Sequence, residues 1–524
     1  MIERESRILV QYQLDGTAAP SADDARELAR IIALEQTVEL PDRLVTDARI
    51  REDIVGRVER LTPGQDGTTL ATISFSTDLG QLHLSALINL LYGNVSIFEG
   101  VRLTDLHLPP ALLDRFRGPT YGIHGIRALT GVYGRPLLAT ALKPNGASAQ
   151  TLATMAADFA RGGGDIVKDD QNLIDDLETF KRRVSLIAER VEAVNQSTGR
   201  RCLYLPHVAA GAAGIRHFME FVRDLGLPGV LVCPLIAGLD TCRELCAELD
   251  LVQMAHPSLT GTFTNPKTSG IDHGVLLGTL FRLGGADISI FPNAGGRFTF
   301  SHQTCAAIAQ RLQEPLGDLA PVFPSPGGGM HFDNLPQMFD AYGEDAVLLV
   351  GGGLLGLDPD LTTGTRAFAE RIADYFPDHR QTPPTNTRRP LHQPVEQRHH
   401  EFLGDYAWHE RPSSEYKSAS DSSFKDVRRV ELVGRYGERT HSDLRYFEVA
   451  PGGYSSREFH QHTHIVIGAR GEGVLVRGND RRPLREHDIA YIEPLEVHQL
   501  LNETDEPFGF YCIVDHERDR PERV

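Results

Sequence analysis

The chain has 524 residues, more than a single hydrophobic core usually serves, so its length predicts two or three domains. The formal net charge of -18 disfavours nucleic acid and anionic membranes as its main partners. The amino terminus lacks the basic and apolar runs of a signal peptide, and no apolar segment approaches the ~20 residues that span a bilayer, so we expect a cytoplasmic protein without membrane segments.

The first 130 residues mix strand-like and helix-like patterns. Residues 7–12 and 69–75 have the alternation of strands, whereas 22–33 and 82–91 have the apolar spacing of amphipathic helices. We therefore predict a small α+β domain over residues 1–130.

The following segment, residues 131–380, repeats a short aliphatic run, a loop and an amphipathic helical stretch. The aliphatic runs lie at 137–143, 165–168, 202–205, 229–233, 251–255, 287–291, 321–323 and 346–350. Eight such units predict an α/β fold of the (β/α)8 TIM-barrel type, in which the functional groups lie at the carboxyl ends of the strands.

The composition changes after the barrel segment. Proline and serine are frequent over residues 381–424, which is typical of a linker. Residues 425–515 alternate polar and apolar side chains between glycine-rich turns, so they predict an all-β domain that forms a small barrel.

The chain resembles the large chain of ribulose bisphosphate carboxylase (RuBisCO), and more closely the non-carboxylating RuBisCO-like proteins. The resemblance covers residues 1 to about 380. Seven motifs in the same order carry it: EQTVE (35–39), GNV (93–95), ALKP (141–144), KDD (168–170), PNAGGRF (292–298), GGGMH (327–331) and GGG (351–353).

The resemblance implies a magnesium site on the second barrel strand. Lys168 matches the lysine that reacts with CO2 to form a metal-binding carbamate, and Asp170 matches its aspartate partner. Gln171 stands where the family usually has glutamate, which weakens the expected site because one negative charge is lost. The alternative is that Lys168 works as a plain amine. Lys143 matches the lysine that moves protons at the enolising carbon, where burial near another cation would disfavour its ammonium form; a structural ion pair is the alternative. His256 is a further catalytic candidate.

The substrate-binding residues also follow from the resemblance. Glu35 and Asn94 match residues that the amino-terminal domain contributes to the barrel of a partner subunit, which implies a homodimer or a larger homo-oligomer. Asn293 and Arg297 follow strand six and are candidates for binding the substrate; a surface charge is the alternative for Arg297. The glycine candidates, whose backbone amides would hold a phosphate unless they only form tight turns, are Gly329, Gly351 and Gly352.

Several carboxylase features are missing. Pro257 stands where the family has arginine, Gly327 occupies the serine position, and residues 293–304 contain no lysine to hold CO2. These differences argue against CO2 fixation on a bisphosphate and predict a substrate with one phosphate, a phosphorylated sugar or sugar acid.

The carboxyl-terminal domain has a histidine-rich pattern that resembles the two cupin motifs. His460, His462 and His464 alternate along a predicted strand and would share one face, and His498 follows in a later strand. Together they predict a transition-metal site for Mn, Fe, Ni or Zn, with His460, His464 and His498 as ligands and His462 or Glu458 as the fourth. A histidine run without metal is the alternative.

Together these features predict a RuBisCO-like enzyme that forms an enediolate. The enediolate of a monophosphorylated ketose would take back its proton on a different carbon, as in 5-methylthioribulose-1-phosphate isomerase. Two alternatives stay open: decarboxylation of a β-keto sugar-acid phosphate, of the oxo-isoapionate phosphate type, and a non-catalytic sugar-phosphate-binding protein.

Overall fold

A computed structural model describes residues 7–298, 300–377, 379–381, 400–409, 411–416, 423–434, 442–515 and 522–523. The chain divides into two compact units, Met1–Leu391 and His392–Val524. None of the helices in the described residues combines the length and apolar character that crossing a bilayer requires.

The amino-terminal segment forms a five-stranded sheet with helices. In spatial order its strands are Gly270–Ile271, Val101–His107, Arg7–Leu14, Thr69–Ser76 and Arg57–Pro63. The principal helices are Ala22–Glu35 and Leu84–Tyr92, as the sequence patterns predict. The edge strand Gly270–Ile271 belongs to the barrel segment of the sequence, so it connects the amino-terminal sheet to the barrel.

The barrel sheet has eight parallel strands, seven of which coincide with predicted runs, whereas the strand near the run 321–323 shares only residue 323 with it. They are Leu137–Leu142, Ile166–Asp169, Leu203–Leu205, Gly229–Val232, Val252–Ala255, Ile288–Pro292, Phe323–Gly327 and Val347–Leu349, numbered below as barrel strands 1 to 8. A parallel bridge between His207 and Leu231 links strands 3 and 4.

Helices alternate with the barrel strands, as the predicted rhythm requires. The remaining helices of this unit are Pro110–Leu113, Gly122–Thr130, Ala149–Arg161, Leu177–Thr198, Ile215–Asp224, Pro234–Ala237, Leu239–Glu248, Thr260–Thr264, Gly274–Leu280 with Phe281–Leu283, His302–Gln313, Leu335–Tyr342, Gly352–Leu357 and Leu361–Tyr375.

The barrel interior is a separate apolar cluster from the helix layer outside it. Inward side chains of all eight strands fill it, and Ile123, Ile126 and Leu129 of helix Gly122–Thr130 pack against them at the amino-terminal end. Buried Asp287 fixes this helix by accepting hydrogen bonds from the amides of Tyr121 at 2.6 Å and Gly122 at 2.8 Å. The interior is therefore a packed core, and polar groups remain for the carboxyl ends of the strands.

The carboxyl-terminal unit is all-β, as predicted. Its strands are Phe402–Gly404, Ala407–Trp408, Ser413–Glu415, Lys425–Val433, Ser442–Tyr454, Glu458–Phe459, His464–Arg470, Glu472–Arg477, Asp480–Arg485, Ile489–Ile492, His498–Leu501, Phe508–Asp515 and Glu522–Arg523. Its core contains alternate apolar residues, such as Phe447 and Val449, which face one side of their strand.

Part of the predicted linker 381–424 is structured. Ser413–Glu415 pairs antiparallel with Lys425–Val433, and Tyr416 packs against the core. The serine-rich composition obscured this strand, because pairing with a neighbouring strand stabilises even a polar segment. The prolines at 383, 384, 390 and 394 lie outside the described residues.

Candidate functional site

The two aspartates at the carboxyl end of barrel strand 2 have different roles. Asp169 is fully buried and accepts hydrogen bonds from Arg183 Nη1 at 2.6 Å, the Tyr204 hydroxyl at 2.9 Å and the His207 amide at 3.0 Å. These bonds occupy both of its carboxylate oxygens. Asp169 therefore ties strand 2 to its neighbours, and the chemistry is left to Lys168 and Asp170.

Lys168 is a buried lysine without a close carboxylate. Its side chain is 2% exposed, and its Nζ donates to the backbone carbonyl of Asp169 at 3.0 Å. Among the described residues, no carboxylate oxygen lies within 4.0 Å of this nitrogen. Burial lowers the pKa of Lys168 from 10.5 to about 8; Asp170 opposes this shift and Lys143 adds to it. The amine therefore loses its proton far more readily than an ordinary lysine.

Asp170 faces the other lysine of the site. Its Oδ2 lies 3.1 Å from Lys143 Nζ, and its Oδ1 accepts a hydrogen bond from the Asn172 amide at 3.0 Å. Burial opposes ionisation of Asp170, but the Asn172 amide and the Lys143 ammonium outweigh it and lower its pKa. The carboxylate is thus charged at neutral pH. Gln171, the next residue, is half-buried.

Lys143 is more accessible than its predicted role assumed. It directly follows barrel strand 1, and its side chain is 52% exposed. The sequence argument placed it in a buried position near another cation; the buried member of the pair is Lys168 instead. The strand end itself is open to solvent in this chain, which explains the difference.

Two neutral imidazoles lie near the lysines. His256 follows barrel strand 5, and its Nδ1 lies 2.8 Å from the Ser258 hydroxyl. Burial, and then the positive charge of Lys168, lowers the pKa of His256 to about 3. Burial also lowers the pKa of His207, whose Nδ1 lies 3.3 Å from the carbonyl of Leu173. Both rings are uncharged at neutral pH and can exchange hydrogen bonds without adding charge.

The predicted glycines lie after strands 7 and 8, and their surroundings differ. A Cβ at Gly351 or Gly352 would meet no atom within 4 Å, so the backbone there faces open space and leaves room for an anion to approach closely. Gly329 has φ +71°, in the left-handed region that favours glycine, and its carbonyl accepts a hydrogen bond from Asn334 Nδ2 at 2.9 Å. A Cβ at Gly329 would lie 2.8 Å from Cα of Gly296, so this turn is closely packed.

The two candidates after strand 6 have different environments. Asn293 is 1% exposed, and its amide lies against the sulfur of Met338 at 3.1 Å and the Tyr342 hydroxyl at 2.9 Å. Its side chain is therefore used in packing between strand 6 and helix Leu335–Tyr342. Arg297 is exposed, and its guanidinium lies 5.9 Å from the ring centre of Phe298.

Glu35 and Asn94 are brought together by the amino-terminal domain. Asn94 Nδ2 donates to Glu35 Oε1 at 3.0 Å, although 59 residues separate them in the sequence. Within the described part of the chain, these side chains make no hydrogen bond to the barrel. Their predicted contribution to a partner's barrel remains a prediction.

The histidines of the carboxyl-terminal unit form a compact cluster. His460, His464 and His498 each offer a ring nitrogen, and these atoms lie within 4.8 Å of one another. His462 stacks on His460 with ring centres 3.8 Å apart, and its Nε2 lies 3.0 Å from Nε2 of His464. Only His464 and His498 lie in strands, since His460 and His462 occupy the bend before His464–Arg470. The predicted continuous strand of histidines was wrong, but the cluster forms.

Backbone carbonyls orient the rings for metal binding. His460 Nδ1 lies 2.8 Å from the His462 carbonyl, and His498 Nδ1 lies 2.9 Å from the Glu496 carbonyl. If Nδ1 donates in each bond, Nε2 keeps a free electron pair, as in metal-binding histidines. His460 Nε2 is buried without a hydrogen-bond partner. Burial lowers the pKa of His460 to about 4, and also lowers those of His464 and His498, so all three rings are neutral.

Comparisons with known proteins agree with this arrangement. Residues 122–375 match the family model "Ribulose bisphosphate carboxylase large chain, catalytic domain", and residues 445–514 match "Cupin domain". Ribulose bisphosphate carboxylase-like protein 1 of Rhodopseudomonas palustris is 38% identical over 376 residues, which are 71% of this chain and 100% of the relative. The chain belongs to the RuBisCO-like proteins.

Two further relatives support the assignment. The 5-methylthioribulose-1-phosphate isomerase of Rhodospirillum rubrum is 37% identical over 375 residues, covering 70% of this chain and 96% of the relative. The crystal structure of a RuBisCO-like protein from Rhodopseudomonas palustris has a TM-score of 0.63 at 35% identity and covers 71% of this chain and 99% of that one. The two relatives and the solved structure each cover 70–71% of this chain.

This RuBisCO-like protein also has polar residues at its sites that the sequence argument did not assign. His207 follows strand 3 and lies near Lys168, and Asn334 supports the Gly329 turn. His207 ends a barrel strand, which was a usable signal. Asn334 had no such signal, because its role depends on a contact across the loop.

Proposed function

We propose that the barrel enolises a monophosphorylated ketose and acts as an isomerase. The observation that carries this proposal is the buried Lys168, which has a lowered pKa and no carboxylate of the described residues within 4.0 Å. Keeping an amine in such a place costs stability, which favours a chemical role. The neighbouring charged groups and open glycine turns supply the other requirements of the reaction.

The donor set fits the magnesium ion that this family uses. Lys168 as its carbamate, Asp170 and the Gln171 carbonyl would hold Mg2+, whose charge would stabilise the oxygens of an enediolate. Carbamate formation requires a neutral amine, which the lowered pKa of Lys168 favours. One carboxylate fewer than usual in the family makes the site weaker unless substrate oxygens complete it.

Lys143 is the residue that we assign to proton transfer. Its Nζ contacts Asp170, and its exposure lets it reach a substrate placed above the strand ends. Neutral His256 can hold a substrate hydroxyl without adding positive charge next to Lys168. A proton removed from one carbon of the ketose and returned to the adjacent carbon completes an isomerisation.

The substrate would carry one phosphate. The open backbone at Gly351 and Gly352, beside the Gly329 turn, supports one phosphate position. The second position has lost its polar residues, since Gly327 replaces the family's serine and Pro257 its arginine. Residues 293–304 contain no lysine, so CO2 fixation is not proposed.

The relatives favour isomerisation over the alternatives. One is named 5-methylthioribulose-1-phosphate isomerase at 37% identity, whereas relatives named 2,3-diketo-5-methylthiopentyl-1-phosphate enolase are 28–32% identical. Both names describe proton transfer next to a carbonyl of a monophosphorylated compound. Decarboxylation of a β-keto acid phosphate would share the enediolate, and it is retained as an outcome of the test.

Deuterium exchange from solvent would test the proposal. We expect the protein with Mg2+ and bicarbonate to exchange a carbon-bound proton of a ketose monophosphate, and Lys168→Ala to abolish this exchange. Lys181→Ala is the matched control, because that lysine lies on the outer side of helix Leu177–Thr198 and, within the described residues, its ion pair is with Glu178 alone. Release of CO2 from a keto-acid phosphate would indicate the decarboxylase. Binding without exchange or CO2 release would indicate a non-catalytic protein.

We also propose a homodimer that covers the carboxyl ends of the barrel strands. The large apolar side chains exposed in the first unit include six that lie in the segments after strands 2, 4, 5, 6 and 8 or close to Asn94; they are Ile174, Ile236, Leu259, Phe298, Leu355 and Ile97. Exposed apolar side chains around a functional face are typical of an interface. Light scattering would test this assembly, with a mass of one chain as the contradicting result.

For the cupin domain we propose a divalent transition metal held by His460, His464 and His498. The buried and unpartnered Nε2 of His460 supports the site. Neutral imidazoles suit Mn, Fe, Ni and Zn alike, so the donor set does not choose among them. Metal analysis of the purified protein, compared with His460→Gln, would test this part.

A further inference from the structure

The cupin domain encloses a cavity of about 220 Å3 that contains more than histidines. His462, His464 and His498 contribute to its wall, and so do Arg429 and Arg445. The rest of the wall is largely apolar, with Val427, Phe447, Val466, Leu500 and Phe510. Water screens a charged group in such a cavity only weakly, so a nearby group of opposite charge stabilises it strongly.

Arg445 is a buried cation in this wall. It lies on strand Ser442–Tyr454 and is 8% exposed. Its guanidinium lies 5.1 Å from the ring centre of Phe447, and its Nη2 is 3.5 Å from the sulfur of Cys512. Its Nε is buried without a hydrogen-bond partner, and in the described part of the chain no carboxylate lies within 4.0 Å of it.

The carboxylate that stands opposite Arg445 on the neighbouring strand, that of Glu431, pairs with another arginine. Glu431 stands opposite Arg445 in the antiparallel pair, but its Oε1 lies 3.1 Å from Nε of Arg429. Glu458 also lines the cavity and accepts a hydrogen bond from the Tyr416 hydroxyl at 3.1 Å. The Nε atoms of Arg429 and Arg445 are both buried without a hydrogen-bond partner in the described residues. Arg429 has the carboxylate of Glu431 at 3.1 Å to balance its charge, whereas no carboxylate of the described residues lies within 4.0 Å of Arg445. Arg445 is therefore the cation whose charge remains available to an anion.

We propose that the cupin cavity binds a small organic acid, with the carboxylate paired to Arg445. A guanidinium donates two parallel hydrogen bonds to a carboxylate, which compensates the cost of its burial. The apolar wall then encloses the carbon chain, and the other end of the acid reaches the histidine cluster. This inference deepens the proposed metal site of the same cavity, since it names the substrate class that the metal would meet.

Calorimetric titration of the full chain tests the inference without knowing the natural acid. The probes are glycolate and glycolamide, which have nearly the same size but differ in charge. We expect the metal-free protein to bind glycolate at least tenfold more tightly than glycolamide. Arg445→Met should remove this preference, and Arg445→Lys should keep part of it. Arg429→Met is the matched control and should retain the preference, because Glu431 already engages that arginine.

The outcomes separate this inference from the proposed metal site. Equal affinities of the metal-free wild-type protein for the two probes would overturn the inference, and so would an unchanged preference in Arg445→Met. If Arg445→Met does not fold, the wild-type comparison and Arg445→Lys still decide. Manganese binding is measured separately. A protein that binds Mn2+ but shows no preference for glycolate would support the metal site and contradict the organic-acid inference. A protein that prefers glycolate but does not bind Mn2+ would support the inference and contradict the metal site.

Discussion

The two adjacent aspartates of barrel strand 2 should respond oppositely to the same substitution. Asp169→Asn removes a fully buried negative charge and leaves three donors, Arg183 Nη1, the Tyr204 hydroxyl and the His207 amide, competing for one oxygen. Breaking a buried ion pair costs about 3–5 kcal/mol, and we expect the lower end of this range because Asp175 still pairs with Arg183 Nε at 2.7 Å. Asp170→Asn loses a pair with the half-exposed Lys143, which contributes at most about 1 kcal/mol.

The assay can follow each unit of the chain separately. The helices in the described residues all lie in the first unit, so helical circular dichroism reports on the barrel. The single tryptophan of the sequence, Trp408, lies in the second unit, so its fluorescence reports on the cupin. Asp169→Asn should lower the thermal midpoint of the circular dichroism signal by about 6 °C or more, at roughly 2 °C per kcal/mol.

The fluorescence midpoint should stay unchanged in both variants. Asp170→Asn should keep both midpoints within about 2 °C of the wild-type values and lose Mg2+ binding. The reasoning would be refuted if Asp169→Asn left the barrel as stable as before, or if Asp170→Asn were the more destabilising of the two. Either result would show that Asp169 is not the structural member of the pair.

Three further predictions concern the barrel site. Gln171→Glu should raise Mg2+ affinity by about tenfold or more, because it restores a negative ligand, and calorimetry showing no gain would contradict the assigned ligand set. Gly352→Ala should weaken calorimetric binding of inorganic phosphate about tenfold without lowering stability, whereas Gly356→Ala, equally open in the same helix, should leave binding unchanged. The pKa of His256 is lowered to about 3 in the folded chain, so the unfolded chain takes up the proton first as pH falls below 6.5. Wild-type protein should therefore lose about 2 kcal/mol of stability between pH 6.5 and pH 5 that His256→Gln retains, and equal slopes in denaturation curves would refute the assignment.

Periodicity along the chain was sufficient to predict the elements of the barrel. Seven of the eight predicted runs coincide with a parallel strand and the eighth, 321–323, meets its strand at Phe323, because strand and helix patterns are set by residues a few positions apart. Contacts between distant segments were not predictable in this way. The strand Gly270–Ile271 joins the amino-terminal sheet beside Val101–His107. Two residues are too few to show the alternation of polar and apolar side chains that predicts a strand.

The residues of the candidate site show the same difference between what local sequence predicts and what contacts between distant segments decide. The sequence by itself determined which residues follow the strands, Lys143, Lys168, Asp170 and His256 among them, and that histidines concentrate near residue 460. Only the tertiary structure decided that Lys168 rather than Lys143 is buried, that Asn293 is used in packing, and that Arg445 is buried with no carboxylate of the described residues within 4.0 Å. The physical reason is that residue order sets chemical identity and local geometry, whereas burial and charge pairing depend on segments that meet only when the chain is folded.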